Sequence, residues 1–294
     1  MDVHMNFLQV LILAILQGVT EFLPVSSEGH LIIMEQLLKM NTENAMLLTL
    51  ILHIGTLIAT IIVFRKDVIN FALELLSILG DIGANLRTLF YNTSRNDVKR
   101  YLKVLRNDDR KFAVMIIVSS IPTAIIGLLL KPMAVKSQGS LLATGTGLLI
   151  TAVFLLVVNF TKQGDRRPLD VDCKIALLVG IVQGFAVLPG ISRAGITIAI
   201  CLLCGFTCKF AIKYSFILSI PTIMGAAIIT STSIPKGSFT GWEILYCIVG
   251  VLIAAIVGLV CVKVALGIIK KNRLKYFAAY SLIIGIVAIT YNFA

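Results

Sequence analysis

Apolar residues occur along this chain in long unbroken segments that short polar stretches separate. Six of these segments are each near the ~20 residues that cross the hydrocarbon core of a bilayer, so we predict six transmembrane helices. They cover residues 45–64, 111–130, 140–160, 211–233, 243–267 and 276–293.

Two further apolar regions, 6–39 and 173–207, are interrupted at their centres by Gly, Pro and polar residues. Each predicts two half-length helices of roughly 12–18 residues around a polar tip, which suits a re-entrant hairpin better than a span. The segment 68–90 has apolar residues at helical spacing with charged residues between them, and we predict an interfacial helix on the cytoplasmic side.

The two polar tips are related in sequence. The first reads QGVTEFLPVSSEGH over residues 17–30, and the second reads QGFAVLPGISRAG over residues 183–195. Aligning their prolines pairs Ser27 with Ser192 and Glu28 with Arg193. A matched pair of broken apolar segments in the two halves of a membrane protein indicates a binding site near the midplane.

Composition supports this interpretation. Hydrophobic residues make up 58% of the 294 residues and charged residues only 14%, whereas a soluble domain is about 25% charged. The apolar runs are continuous and do not alternate with period two, which argues against a β-barrel. The six cysteines lie in or beside apolar segments and are interpreted as packing residues rather than metal ligands.

The formal charge of +11 is concentrated in loops. Ten of the 26 Lys and Arg fall between Arg65 and Lys111, four between Lys162 and Lys174, and four between Lys270 and Lys275. This distribution follows the positive-inside rule and predicts that these loops are cytoplasmic, so nucleic acid is not an expected partner. Loops 131–139 and 234–242 then face outward.

Orientation and repeat together define a fold class. Each half has one re-entrant hairpin and three spans, and because three is odd, the halves are inverted relative to each other. The chain is therefore predicted to be an all-α polytopic membrane protein with an inverted repeat. The first repeat is 1–160, including the cytoplasmic insertion 65–110, and the second is 161–294.

Four ionisable residues, Glu21, Glu28, His30 and Arg193, fall in the tips at membrane depth, where uncompensated charge is costly. Opposite charges on two tips that meet would offset one another. Gln17 precedes Glu21 by four residues and shares its helix face. Hydroxyls, helix N-termini, a carboxylate and a planar guanidinium together suit a phosphate or diphosphate ester bound with Mg²⁺ or Ca²⁺.

Simpler interpretations remain open for several of these residues. The tip serines would serve equally as helix caps. His53 is expected to pack in the bundle interior near the site rather than to act. Glu28 either faces Arg193, as the repeat alignment suggests, or is an acidic residue in the first turn of a helix.

With these motifs the chain resembles the undecaprenyl-diphosphate phosphatase family, the bacitracin-resistance membrane proteins of bacterial envelopes. The resemblance extends over most of the chain. It is carried by Gln17–Glu21, by Phe22–His30, by Pro189–Thr197, by the HIGTL stretch at 53–57 and by the SFILSIP stretch at 215–221.

The resemblance implies hydrolysis of a C55 prenyl diphosphate to the monophosphate and phosphate, which recycles the lipid carrier for cell-wall synthesis and confers bacitracin resistance. It implies a divalent cation, Mg²⁺ or Ca²⁺, and a multi-pass protein of the bacterial plasma membrane whose site opens toward the outer face. The expected partners are the prenyl diphosphate and membrane lipid, and a homodimer is left open.

Carried over to this sequence, the resemblance implies that Glu21 holds metal and diphosphate, that Ser27 and His30 serve as nucleophile or general base, and that Arg193 binds phosphate. Gln17 joins Glu21 as a metal ligand. The substrate-binding candidates are Gln17, Ser26, Gly190, Ser192 and Thr197. Which of Ser27, His30 or a water attacks is left open.

Two positions depart from the family pattern. Gln17 replaces the commoner Glu and brings no charge to a cation, and Ala194 replaces the usual second Ser of the arginine motif. Because inverted repeats are typical of transporters, a carrier that flips prenyl phosphate is the alternative function. A carrier requires the anion ligand but neither a nucleophile nor a base, so the residue set favours hydrolysis.

Overall fold

The computed structural model describes residues 6–94, 98–161, 164–170, 172–231, 241–270 and 273–293. The described residues form eleven α-helices: α1 (Phe7–Thr20), α2 (Ser27–Leu37), α3 (Thr42–Val63), α4 (Arg65–Ser94), α5 (Asp108–Ser137), α6 (Leu141–Asn159), α7 (Cys173–Gly184), α8 (Arg193–Leu203), α9 (Cys208–Ser231), α10 (Gly241–Lys270) and α11 (Leu274–Phe293).

Six of these helices, α3, α5, α6, α9, α10 and α11, are long and apolar enough to cross a membrane. They overlap the six predicted spans, so the all-α polytopic membrane fold is confirmed. The predicted bounds were too short for α5, which continues to Ser137 through most of the predicted loop 131–139. The order of two short helices followed by long apolar helices occurs in both halves of the chain. Whether the halves have opposite orientations in the membrane stays a prediction, and loop 234–242 lies partly outside the described residues.

The two predicted hairpins are present as α1–α2 and α7–α8, each with a non-helical tip between two short helices. Each second helix begins with a serine cap. The Ser26 hydroxyl accepts a hydrogen bond from the backbone N–H of Gly29 (3.1 Å), and the Ser192 hydroxyl accepts one from that of Gly195 (3.0 Å). Such caps satisfy backbone groups that the helix leaves unpaired.

These caps correct the alignment of the two tips. Ser26, not Ser27, is the structural counterpart of Ser192, and Ser27 is then the counterpart of Arg193, the first residue of α8. Aligning the prolines was therefore wrong by one residue. The two tips correspond at the N-caps of α2 and α8, and not at their prolines.

Each hairpin packs against a long helix from the other half of the chain. α1 lies against α10, where a Cβ on Gly18 would be 2.8 Å from Val257. α7 lies against α5, where a Cβ on Gly184 would be 2.6 Å from Ile126. Small residues let helix backbones approach closely in a membrane, where packing rather than hydrophobicity holds helices together.

Helix α6 contacts both hairpins and supports the second tip. A Cβ on Gly147 would lie 2.1 Å from the Pro189 carbonyl oxygen, so glycine allows the tip to rest on the helix backbone. The Thr151 hydroxyl accepts a hydrogen bond from the backbone N–H of Ser192 (2.9 Å). The second tip is thereby fixed by polar contacts as well as by packing.

The insertion 65–110 forms α4 and a polar connector. Arg110, at the start of α5, pairs with Glu74 (2.9 Å) and with Asp81, and Arg106 pairs with Asp81 (2.5 Å). These ion pairs hold the polar side of α4 to the connector, while large apolar residues such as Leu76 and Phe90 remain exposed. The assignment of α4 to the membrane interface stays a prediction.

Candidate active site

The two hairpin tips meet at two glycines. A Cβ built on Gly29 would lie 3.1 Å from the Cα of Gly190. Gly190 itself has φ +82°, and a Cβ there would lie 1.9 Å from the Thr144 carbonyl oxygen. Only glycine accommodates both the positive φ and this close approach. The prediction that the tips assemble one site from both halves agrees with this geometry.

Glu21 is the centre of the polar contacts between the tips. It caps the C-terminus of α1 and is 7% exposed. Its Oε1 forms an ion pair with Nη2 of Arg193. Its Oε2 accepts hydrogen bonds from the Ser27 hydroxyl (2.5 Å) and from the Gln17 amide (3.1 Å). A buried carboxylate requires such compensation, because its charge is otherwise prohibitively costly.

Arg193 therefore pairs with Glu21 and not with Glu28, and the pairing that the repeat alignment suggested is wrong. Glu28 lies half-buried in the first turn of α2, the second of the two positions expected for it. The other terminal nitrogen of Arg193, Nη1, is buried without a hydrogen-bond partner among the described residues. A guanidinium with one unsatisfied nitrogen is suited to bind an anion.

His53 lies beside this ion pair, as expected for a residue of the bundle interior near the site. Its Nε2 is 3.5 Å from Glu21 Oε2, and its Nδ1 donates to the Thr49 carbonyl oxygen (2.7 Å). At 3.5 Å the distance between His53 Nε2 and Glu21 Oε2 is longer than that of a normal hydrogen bond.

Thr56 is a site residue that sequence reasoning missed. Its hydroxyl accepts a hydrogen bond from Gln17 Nε2 (3.3 Å). The counterpart in the second half is the bond from Gln183 to Thr222 (2.9 Å), which has the same sequence separation of 39 residues. That equal spacing was the available signal.

His30 faces away from the ion pair. Its Nδ1 is 2.7 Å from the Ser26 carbonyl oxygen and its Nε2 is 2.8 Å from the Tyr280 hydroxyl. Neither ring nitrogen contacts Ser27 or Glu21 among the described residues. Tyr280, on α11, was also missed, because the sequence around position 280 has no polar break of the kind that marks the two tips.

The remaining substrate-binding candidates make internal contacts. Ser26 and Ser192 cap their helices, and Thr197 bonds to Ser215 Oγ (2.5 Å) and to the Arg193 carbonyl oxygen (2.7 Å). These contacts rigidify the tips around Glu21 and Arg193. Ala194 is buried in the same turn of α8.

The residues proposed as metal ligands do not form a cation site on their own. Both oxygens of Glu21 are engaged, and Gln17 turns its amide nitrogen, not its oxygen, toward Glu21. No group of three or more His, Cys, Asp or Glu side chains among the described residues is arranged to hold a metal ion. A divalent cation fits here only if phosphate oxygens and water supply most of its ligands.

Comparison with known proteins covers nearly the whole chain. Residues 10–287 match the family described as bacitracin resistance protein BacA. The undecaprenyl-diphosphatase of Alkaliphilus metalliredigens is 33% identical over 290 residues, which cover 98% of this chain and 99% of that protein. The undecaprenyl-diphosphatases of Desulforapulum autotrophicum and Methanosphaera stadtmanae are 37% and 38% identical, over 98% and 97% of this chain and 99% and 98% of their own lengths.

Proposed function

Since the chain belongs to the bacitracin resistance protein BacA family, we propose that it is an undecaprenyl-diphosphatase. It hydrolyses undecaprenyl diphosphate to undecaprenyl phosphate and phosphate, and so returns the lipid carrier to cell-wall synthesis and confers bacitracin resistance. The observation that supports hydrolysis is the hydrogen bond from the Ser27 hydroxyl to the buried carboxylate of Glu21, at 2.5 Å. This arrangement pairs a nucleophile with a base.

In the proposed reaction, Glu21 Oε2 takes the proton of Ser27 as Oγ attacks the terminal phosphorus. The new bond joins Oγ to phosphorus, and the bridging P–O bond breaks, so that undecaprenyl phosphate leaves with the electron pair. The departing undecaprenyl phosphate takes that proton from Glu21. Water then attacks the phosphoserine, and Glu21 accepts a proton of the water and passes it to Ser27 Oγ as the Oγ–phosphorus bond breaks and phosphate departs. Ser27 is chosen over His30 as the attacking group because only Ser27 donates to Glu21.

Arg193 binds the transferred phosphoryl group in this proposal. Nη2 is held by Glu21, and this contact orients Nη1, which has no partner among the described residues, toward the substrate. A fixed cationic donor aimed at developing negative charge stabilises a transition state more than a mobile one does. Gln17 supports Glu21 through its amide.

Three further parts of the proposal concern the surroundings of the site. A divalent cation, Mg²⁺ or Ca²⁺, would be held mainly by diphosphate oxygens and water beside Glu21 and Gln17, and it would offset charge on the phosphates. The site opens toward the outer face, as the basic loops suggest through the positive-inside rule. A homodimer would cover part of the exposed apolar surface and is testable by cross-linking in native membranes.

The proposed function is tested by measuring phosphate release from undecaprenyl diphosphate by the purified protein in detergent. We expect steady release that EDTA abolishes and that excess Mg²⁺ or Ca²⁺ restores. Phosphate release that continues in EDTA would refute the requirement for a divalent cation. No release under any metal condition would refute the phosphatase function.

A further inference from the structure

Tyr280 joins the last helix of the chain to the first hairpin. Its hydroxyl lies 2.8 Å from His30 Nε2, 250 residues away in sequence. The two rings are nearly parallel, with centroids 5.5 Å apart and planes inclined by 4°. The contact therefore combines a hydrogen bond with a stacked geometry, and it fixes the orientation of the imidazole.

The direction of these hydrogen bonds follows from chemistry. A backbone carbonyl oxygen only accepts, so the His30 nitrogen 2.7 Å from Ser26, Nδ1, carries a proton. In the neutral imidazole Nε2 then has a lone pair, which accepts from the Tyr280 hydroxyl. Both ring nitrogens of His30 are thus committed to partners that do not react.

Ser26 has an unusual backbone conformation. Its φ is +68° and its ψ is 94°, a combination that residues with a Cβ rarely adopt. Its carbonyl oxygen accepts two hydrogen bonds from His30, one from the backbone N–H (3.2 Å) and one from Nδ1. The next residue is Ser27, whose hydroxyl donates to Glu21. Strained conformations of this kind persist only where their surroundings hold them in place.

We propose that Tyr280 is a positioning residue for the phosphatase reaction. Its hydroxyl donates to His30 Nε2 and fixes the position of the imidazole, His30 in turn holds the Ser26 carbonyl through Nδ1–H, and the peptide that follows aims the Ser27 hydroxyl at Glu21. His30 acts in this chain as a support for the tip rather than as the base that deprotonates Ser27. The proposal rests on the proposed function above.

The test is Tyr280→Phe, which removes only the hydroxyl and keeps the ring. Tyr291→Phe is the matched control, because Tyr291 lies on the same helix with its side chain exposed. We expect Tyr280→Phe to lower kcat about 2- to 10-fold, the range that one neutral hydrogen bond represents, with KM unchanged. Tyr291→Phe should leave both constants at the wild-type values.

A spectroscopic readout separates this role from a general loss of packing. Nitrogen NMR of ¹⁵N-histidine-labelled protein at about pH 8, where an ordinary imidazole is neutral, reports the tautomer. The chain has three histidines, and the His30 signal is assigned by its loss in His30→Gln. We expect the Nδ1–H form in all three proteins, because the Ser26 carbonyl requires it. The Nε2 resonance of His30 should shift in Tyr280→Phe, where its hydrogen-bond donor is lost, and should match the wild type in Tyr291→Phe.

The outcomes distinguish the two proposals. A wild type without phosphatase activity would refute the proposed function. An active wild type in which His30 has the Nε2–H form would overturn the role of Tyr280 alone. So would a Tyr280→Phe variant that retains full kcat and an unchanged Nε2 resonance of His30.

Discussion

Glu21 and Arg193 lie 172 residues apart in sequence and form an ion pair between the two hairpin tips. The first tip supplies the carboxylate and the serine hydroxyl, and the second supplies the guanidinium. Neither tip carries the complete set. The site therefore exists only when both halves of the chain are packed together.

Replacement of Arg193 tests the contribution of the second tip. Arg193→Ala should lower kcat/KM by about 10²–10³, or ~3–4 kcal/mol, because a preorganised donor to the transferred phosphate is lost. Arg193→Lys should also have a low kcat/KM. An ammonium has a single nitrogen, whereas the planar guanidinium contacts the Glu21 carboxylate with one nitrogen and the phosphate with another. Phosphate release is measured beside thermal unfolding in detergent, with the exposed Arg167→Ala as control. Near-wild-type turnover in Arg193→Ala would leave the second tip without its assigned role.

Gly190→Ala tests the contact between the tips. Its positive φ alone should cost about 1–3 kcal/mol, and the clash of the new Cβ with the Thr144 carbonyl adds to this. We expect a lower unfolding temperature and loss of activity. Gly83→Ala, on α4 with no atom within 4 Å of the new Cβ, should instead stabilise its helix by up to about 1 kcal/mol. Equal stability of the two variants would contradict the packing described here.

The pKa of Asp81 determines how the stability of the insertion 65–110 responds to acid. Hydrogen bonds from Arg110 and Arg106 lower the pKa of Asp81 below its ordinary value of 3.8. A carboxyl group whose pKa is lower when folded adds stability at neutral pH, and this is lost as the pH falls through the folded pKa. Hydrogen exchange in α4 should therefore stay slow from neutral pH down to about pH 4.

Asp81→Asn removes that charge at any pH. We expect faster hydrogen exchange in α4 at neutral pH, whereas Asp109→Asn, at an exposed aspartate of α5, should behave as the wild type. Phosphatase activity should be retained in both variants, since α4 lies outside the site. Unchanged exchange in Asp81→Asn would show that the ion pairs do not hold α4.

Much of the fold was predictable from sequence, because bilayer thickness sets the length of an apolar helix. The predicted span 140–160, for example, is α6, Leu141–Asn159. The tips were predictable as polar breaks in apolar sequence, and the same reasoning singled out Glu21, Ser27 and Arg193, which the structure brings into contact. The partner of His30 was not, since Tyr280 reaches the site through helix packing that no local pattern encodes. The one-residue error in aligning the tips arose because the cap position is decided by backbone geometry.

Single-cysteine labelling tests the predicted orientation, in a background from which the six native cysteines have been removed. A cysteine at Lys136, at the end of α5, should react with an impermeant reagent from outside the cell. A cysteine at Arg100, in the connector, should react only after the membrane is opened. Two further test positions, Lys236 and Lys271, are not among the described residues. We expect Lys236 on the outer face of the membrane and Lys271 on the cytoplasmic face. The reverse pattern at Lys136 and Arg100 would refute the predicted orientation, and labelling of Lys136 and Lys236 from opposite sides would refute the inverted arrangement.

The most direct test of the phosphatase is Ser27→Ala, measured for phosphate release and for prenyl-phosphate translocation in liposomes. The wild type and Ser137→Ala are measured beside it, because the half-buried Ser137 hydroxyl donates to the Met133 carbonyl oxygen of its own helix, away from the site. If Ser27 attacks phosphorus, its loss should lower phosphate release by orders of magnitude, while substrate still binds through Arg193. In a carrier the same change removes one hydrogen bond, worth roughly 0.5–1.5 kcal/mol, and transport should fall only a few-fold. Metal-dependent release by the wild type and by Ser137→Ala that collapses in Ser27→Ala is the predicted result. No release from the wild type, together with translocation that Ser27→Ala barely alters, would contradict the phosphatase and favour the carrier.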